Sequence, residues 1–262
     1  MPSLTDLDVG IIGVGEIAGA IVDGPCTDPR GAPEVWLSPR GEATSEALAR
    51  RYPGVRVCAD NQAVADKASV LLITVRPDAL DEALSEVRVP PGSVVVSAVA
   101  GVDHGELHRL LGQEVTIVRS IPLPAVRRRE SVTAVYPAHP VATELFDRLG
   151  GTLDVPDGDA FAALSAATGT ISAYLRFLAL IADWTGRHGV EPAEADRYVR
   201  SIFGDLSRGL DDTSRSLSQL TTDHETPGGL NEQLRLAWLD TANAAALDAA
   251  LDGLLLRVRR SS

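Results

Sequence analysis

The sequence predicts an α/β protein in which a doubly wound, mostly parallel sheet is followed by an all-helical half. Three observations carry this prediction. Between Val9 and Val118, short apolar runs alternate with helix-length amphipathic segments, the pattern of a parallel sheet with crossover helices. A glycine-rich turn, Gly13-Val-Gly15, sits directly between the first apolar run and the first helical segment. After Pro156-Asp-Gly158 the β-branched runs vanish, and Ala, Leu, Arg and Asp dominate to the end, which divides the chain into domains 1–156 and 157–262.

Each element follows from its own stretch of sequence. Runs of strand length place strands at 8–12, 34–37, 55–58, 70–75, 93–98 and 115–119. Two further β-like pieces, 131–136 and 151–155, flank a short helix at 141–149. In the second half, Tyr174, Leu175, Leu178, Ile181, Ala182 and Thr185 recur at i, i+3, i+4 and i+7 spacing, which predicts one long helix over 161–188 with a wide apolar face. Gly189 stops it, and Glu191-Pro-Ala-Glu opens the next helix, to about 210. Asp212-Thr-Ser214 is expected to cap a short helix, and 229–259 carries two more.

Composition narrows the function. With 262 residues, 45% hydrophobic and 23% charged, the chain is an ordinary globular protein. A formal net charge of −12 repels nucleic acid phosphates and anionic lipid, so neither is an expected partner. The arginines at 127–129 and 257–260 are expected on the solvated surface. The longest apolar runs, 70–75 and 94–96, are strand-sized, so no membrane span is expected. The first eight residues hold two acids and no base, which argues against a signal peptide. Cys26 and Cys58 are isolated and the histidines lack ligand spacing, so no metal site is expected and a cytoplasmic location is. Lys67, the only lysine, precedes a strand in the first half, so the helical half has no lysine to act as an acid or form a Schiff base. Long apolar helices in that half call for a second copy to cover them, and a homodimer is expected.

Two motifs point to chemistry. In Gly13-Val-Gly-Glu-Ile-Ala18, Gly13 permits a tight turn, Gly15 lets backbone approach a pyrophosphate, and Ala18 allows close helix packing. The second strand ends Ser38-Pro-Arg40, with no acid to meet a ribose hydroxyl. A hydroxyl and a guanidinium fork suit a 2′-phosphate instead, so NADP(H) is the expected cofactor and NAD(H) the alternative. Far along the chain, Thr226-Pro-Gly-Gly229 forms a polar break between two helices, where paired glycine amides at a helix start can close on a small anion. Together they describe a nicotinamide-dependent reductase of a small acid.

These segments, in this order, resemble the Δ1-pyrroline-5-carboxylate reductase family over nearly the whole chain. The resemblance implies a Rossmann-type domain, a helical dimerisation and substrate domain, and reduction of a cyclic imine carboxylate to L-proline or a related product. It assigns Gly13, Val14, Gly15, Glu16 and Ile17 to the cofactor turn and Ser38 and Arg40 to the 2′-phosphate. Asn61 falls on the adenosine side. Thr74, Val75, Arg76 and Pro77 match the family's A-V-K-P strand end, and Val99, Ala100 and Gly101, within Ser97-Ala-Val-Ala-Gly-Val102, match the segment beside the nicotinamide. It gives the substrate carboxylate to Thr226, Gly228 and Gly229, with Leu230 beside them. It also implies that dimers join into larger rings.

The departures cluster at the substrate. The family's M-P-N-T-P is Ile121-Pro-Leu-Pro124, its S-G-S-G-P-A-Y is Thr168-Gly-Thr-Ile-Ser-Ala-Tyr174, and the threonine after its paired glycines becomes Asn231. Glu16 replaces a neutral amide. Asn231 and Thr170 are therefore the expected catalytic residues and Tyr174 a substrate contact, while His224 and Glu225 read as polar loop residues. Two alternatives stay open: an imine reductase of secondary metabolism with another cyclic imine, and a regulatory NADP-binding homologue without catalysis. β-Hydroxyacid dehydrogenases and ketopantoate-type reductases share the layout but use a lysine near the substrate, which is missing here.

Overall fold

The computed structural model describes residues 7–27 and 32–260; residues 1–6, which carry most of the signal-peptide reading, lie outside the described residues. Strands β1 (Asp8–Ile12), β2 (Glu34–Leu37), β3 (Val55–Val57), β4 (Val70–Ile73), β5 (Val94–Ser97), β6 (Thr116–Ile121), β7 (Thr133–Tyr136) and β8 (Thr152–Asp154) form one sheet, ordered β3-β2-β1-β4-β5-β6-β7-β8. The first six are parallel; β7 runs antiparallel to β6, and β8 parallel to β7. Strand order reverses between β1 and β4, which opens a crevice beyond their C-terminal ends. The turn containing Gly13 lies there.

Helices α1 (Glu16–Cys26), α2 (Glu42–Arg51), α3 (Asn61–Ala65), α4 (Leu80–Leu84), α5 (His104–Leu111) and α6 (Pro140–Asp147) accompany the strands. Neighbouring strand residues supply different cores: Ile11, Leu72, Val96 and Val118 pack on one face with Ile21 and Phe146, and Ile12, Leu71, Val95 and Ile117 on the other with Val64 and Leu107. This is the period-two consequence of continuous apolar strands buried on both sides. Each such side chain contributes roughly 1.5–3 kcal/mol.

The arginines at 127–129 are exposed, as expected, and two of them also reach inward to α1. Asp23 of α1 is buried, and its carboxylate accepts from Tyr52 Oη at 2.8 Å, Arg127 Nε at 3.0 Å and Arg51 Nη1 at 3.2 Å. Arg129 Nε donates to Gly24 O at 2.9 Å. An acid this buried is costly unless partnered, and these cations partner it.

By contacts the chain forms two compact units, Met1–Ser165 with Leu255–Ser262, and Ala166–Leu254. In the first, Phe161 of α7 (Gly158–Ala167) packs with Ala134 and Val155, and Arg259 pairs with Asp159 at 2.8 Å.

The second unit contains α8 (Thr170–Arg187), α9 (Pro192–Gly209), α10 (Leu217–Asp223), α11 (Leu230–Trp238) and most of α12 (Thr241–Arg260). The single helix predicted over 161–188 is broken at Thr168-Gly169. A Cβ at Gly169 would lie 2.6 Å from Leu254 Cδ1 of α12, so glycine lets that side chain pack closely at the point where the run is interrupted by a poor helix former. By length and composition Gly158–Arg187 could span a membrane, which corrects the expectation that no stretch could; the structure divides it. The cap of α10 also differs from expectation. Ser216 Oγ accepts from Gln219 N at 3.2 Å, whereas Asp212 is used by Ser214 and Arg215 in the preceding turn.

Candidate active site

The turn after β1 has the form a dinucleotide requires. Gly13 has φ +94°, and a Cβ there would lie 2.7 Å from Val75 N and 2.5 Å from Val75 Cγ1, so both conformation and space demand glycine. Gly15 is the N-cap of α1, is exposed, and has no heavy atom within 4 Å of where its Cβ would be. The start of α1 is therefore open to an anion, and the residues present fit a pyrophosphate. Ala18, fully buried, seats the helix; Val14 is buried beneath the turn, Ile17 half-buried and Glu16 exposed.

Two expected cofactor residues support the turn from inside. Gly13 N donates to Ser38 Oγ at 3.0 Å, and Thr74 Oγ1 donates to Gly13 O at 2.7 Å. Ser38 is fully buried, so its hydroxyl fixes the turn instead of presenting itself at the surface for a phosphate. The exposed group at that strand end is Arg40, whose Nη1 lies 3.0 Å from Glu82 Oε1 of α4. The next residue, Gly41, was not anticipated. Its φ is +94°, and a Cβ would lie 2.4 Å from Val14 O, so this glycine locks the β2–α2 turn against the phosphate turn. A glycine at the head of a helical segment, beside the strand-end arginine, was the available sequence signal.

The rim continues along α3, α4 and the strand ends. Asn61 Nδ2 donates to Ala83 O at 2.9 Å, which ties α3 to α4. Arg76 pairs with Asp78 at 3.3 Å, Pro77 opens a short 3-10 turn, and Val75 abuts Gly13. In the Ser97–Val102 segment, Val99 N donates to Ser97 Oγ at 3.4 Å, Ala100 is exposed, and Gly101 takes φ +73°.

A further cluster escaped sequence reading. Ser97, Arg119 and Tyr136 sit side by side in the β5–β6–β7 register. Arg119 is 7% exposed and lies over the Phe161 ring at 4.6 Å. Burial pulls its pKa below the usual guanidinium range. The His104 ring meets Tyr136 edge-on at 5.3 Å, and its pKa is lowered by burial and by the Arg119 charge.

In the helical unit the glycine loop is internally satisfied. Gly229 N donates to Thr226 O at 2.7 Å, and Gly228 N to the Glu232 carboxylate at 2.5 Å. Both amides expected to hold a substrate carboxylate are thus engaged by the chain itself. Asn231 Nδ2 donates to His224 O at 2.8 Å, which leaves its carbonyl oxygen for an outside donor. Glu225 is not merely a polar loop residue: it receives both Nε and Nη2 of Arg235, and this bidentate pairing lowers its pKa.

Asn231, His224 and Glu225 line a cavity of about 1310 Å³ together with Phe177, Phe203 and Trp238. Tyr174 stands outside its lining but meets Phe203 edge-on at 6.2 Å. Thr170, whose hydroxyl donates to Ala167 O at 2.8 Å, and the exposed Thr226 and Leu230 are also outside it. Among the described residues no group of three or more His, Cys, Asp or Glu could hold a metal.

Comparison with known proteins agrees with this geometry. Residues 8–101 match the family model described as NADP oxidoreductase, coenzyme F420-dependent. The chain is 25% identical over 234 residues to pyrroline-5-carboxylate reductase of Corynebacterium melassecola, covering 84% of this chain and 86% of that one. It is 26% identical over 283 residues to Delta-1-pyrroline-5-carboxylate reductase apf3 of Gibberella fujikuroi, covering 95% of each. Over most of its length the chain is thus similar to proteins named pyrroline-5-carboxylate reductase, at about a quarter identity. Its fold is shared with the NADP-bound crystal structure of Plasmodium falciparum pyrroline carboxylate reductase, at TM-score 0.79 and 14% identity over 98% of both chains.

Proposed function

We propose that this chain is an NAD(P)H-dependent reductase of a cyclic imine carboxylate, with Δ1-pyrroline-5-carboxylate reduced to L-proline as its reaction. The observation that carries the reading is the turn: a left-handed Gly13 clamped by Ser38 and Thr74, leading into an open helix start at Gly15. Similarity to pyrroline-5-carboxylate reductases over 84–95% of the chain supports the substrate.

In this reading residues 1–156 hold NADP(H). The first amides of α1 receive the pyrophosphate, Arg40 the 2′-phosphate, and the segment around Val99, Ala100 and Gly101 flanks the nicotinamide. When bound, the nicotinamide supplies the hydride that reduces the C=N carbon. Residues 157–262 orient the imine. Asn231 Oδ1 accepts the N–H of a protonated imine and fixes its nitrogen, while Tyr174 bounds the ring. Thr170 was expected to share the catalytic work; its hydroxyl proton is committed to Ala167 O, which leaves it an acceptor only. Asn231 does not titrate, so the nitrogen's proton arrives with the substrate or from solvent. Imines protonate readily near neutral pH, and positioning replaces the lysine acid that this half lacks.

The acting unit is a homodimer. None of the residues of α8 or α11 is buried, and Leu175, Trp184 and Leu236 are 59%, 55% and 60% exposed. Faces this apolar suit a second copy. The free Cys26 and Cys58 fit a reducing, cytoplasmic setting.

NADPH oxidation in the presence of Δ1-pyrroline-5-carboxylate and a panel of small cyclic imines tests the assignment, with light scattering to read the mass. Cofactor binding with no turnover on any imine would overturn the catalytic reading in favour of a nucleotide-binding regulator.

A further inference from the structure

The surroundings of Arg40 carry an inference about cofactor choice, and it rests on the dinucleotide reading above. A 2′-phosphate at the end of β2 would meet Arg40 as its cation, because buried Ser38 is committed to the turn. That guanidinium is already engaged, with Nη1 3.0 Å from Glu82 Oε1. The acid is held in place. Leu80, Ala83 and Leu84 bury the inner face of α4, and Asn61 Nδ2 grips Ala83 O at 2.9 Å, one residue from Glu82. The neighbouring acid Asp81 is drawn elsewhere, to Arg109 at 3.1 Å. The other cation on this rim, Arg76, is likewise matched, by Asp78 at 3.3 Å. Arg40 and Arg76 are therefore each paired with a carboxylate from the single segment 78–82.

We propose that Glu82 sets the cofactor selectivity of this protein: it competes with the 2′-phosphate for Arg40 and so holds NADPH and NADH close in affinity. Without this acid the same Arg40 fork meets the phosphate unopposed, and charge-assisted bidentate pairing makes the enzyme selective for NADPH. Both partners are more than half exposed, so the pair is weak and exchangeable, as a competitor displaced at each binding event must be. NADH, with a hydroxyl in place of the phosphate, has no charge to contest Arg40 and is indifferent to Glu82.

The test is a double-mutant cycle on the full-length protein, read as Kd for NADPH and NADH without any imine. Wild type, Glu82→Gln, Arg40→Ala and the double variant are compared. Glu82→Gln is expected to tighten NADPH about 2- to 5-fold, within the range an exposed charge pair spans, and to change NADH less than about 1.5-fold. Arg40→Ala is expected to weaken NADPH at least about 5-fold and to remove most of the gain from Glu82→Gln. NADPH and NADH tightening together would overturn the proposal. So would a gain that persists undiminished without Arg40, or a wild type that already prefers NADPH by more than about 100-fold with Glu82→Gln silent. Because no imine enters the assay, a wrong substrate leaves this result intact; failure of either nucleotide to bind would refute both this proposal and the dinucleotide reading.

Discussion

Two glycines of one motif should fail in opposite ways when given a methyl group. At Gly13 the backbone is left-handed at φ +94°, and forcing alanine into that region costs about 1–2 kcal/mol. The added Cβ would also lie 2.7 Å from Val75 N, a backbone atom at the end of β4 that cannot rotate away. Relief requires the ends of β1 and β4 to part, an overpacking cost of about 1–3 kcal/mol. Gly13→Ala should therefore lose about 2–5 kcal/mol, seen as a fall in Tm on the order of 5–15 °C. Gly15 has φ −104°, which alanine adopts freely, and empty space where a Cβ would go. Gly15→Ala should keep or slightly raise stability, by up to about 1 kcal/mol, since it restricts the unfolded chain. The methyl group would nevertheless stand where pyrophosphate must approach, and NADPH affinity should fall at least about 10-fold, roughly 1.4 kcal/mol. Thermal unfolding without nucleotide and an NADPH titration of each variant separate the two effects. A Gly15→Ala protein as destabilised as Gly13→Ala, yet binding NADPH normally, would refute the assignment of roles.

Three further outcomes follow from the geometry. If Asn231 has the proposed role of meeting the imine and not the nucleotide, Asn231→Ala should lower kcat at least about 10-fold while leaving NADPH affinity within about 2-fold; unchanged steady-state kinetics would remove it from the site. Glu232→Ala frees Gly228 N and should lower KM for Δ1-pyrroline-5-carboxylate about 3- to 10-fold, with little change for 1-pyrroline, which has no carboxylate; an equal shift for both would show that the loop does not sense that group. Burial pushes the Cys26 thiol up to about 11 from 9.0, with Asp23 adding to the shift. The folded state therefore keeps its proton where the unfolded state loses one, so this stabilisation is essentially complete well below pH 9 and falls by about 2 kcal/mol as pH rises to 11. Urea unfolding at pH 8 and pH 11 should show that loss in wild type and a smaller one in Cys26→Ala.

How much the sequence disclosed depended on whether the deciding interaction was local. β1 and β2 came out residue for residue, because short apolar runs bounded by turn residues define a strand. The phosphate turn was equally legible, since its requirements are backbone conformation and the lack of a side chain. What stayed hidden was set by contacts between distant segments. Ser38 and Thr74 clamp Gly13 across 25 and 61 positions, so residues of a type suited to touching a ligand proved to brace the turn. Arg127 and Arg129 are exposed as read, but their bonds to Asp23 and Gly24 stayed hidden because those partners lie more than a hundred residues earlier. The long apolar period over 161–188 concealed the break at Thr168-Gly169, where Leu254 of α12 packs close. In the glycine loop the motif was plain from sequence, but the occupation of Gly228 N by Glu232 was not.

The end of α12 belongs to the sheet-bearing unit, with Arg259 held to Asp159 at 2.8 Å. That unit is thus assembled from two separate lengths of polypeptide. During synthesis its last piece leaves the ribosome only after the whole of 166–254 has emerged, so the nucleotide-binding half cannot be finished before the helices that follow it in translation. A fragment cut at 156 would lack both Phe161 and this returning tail.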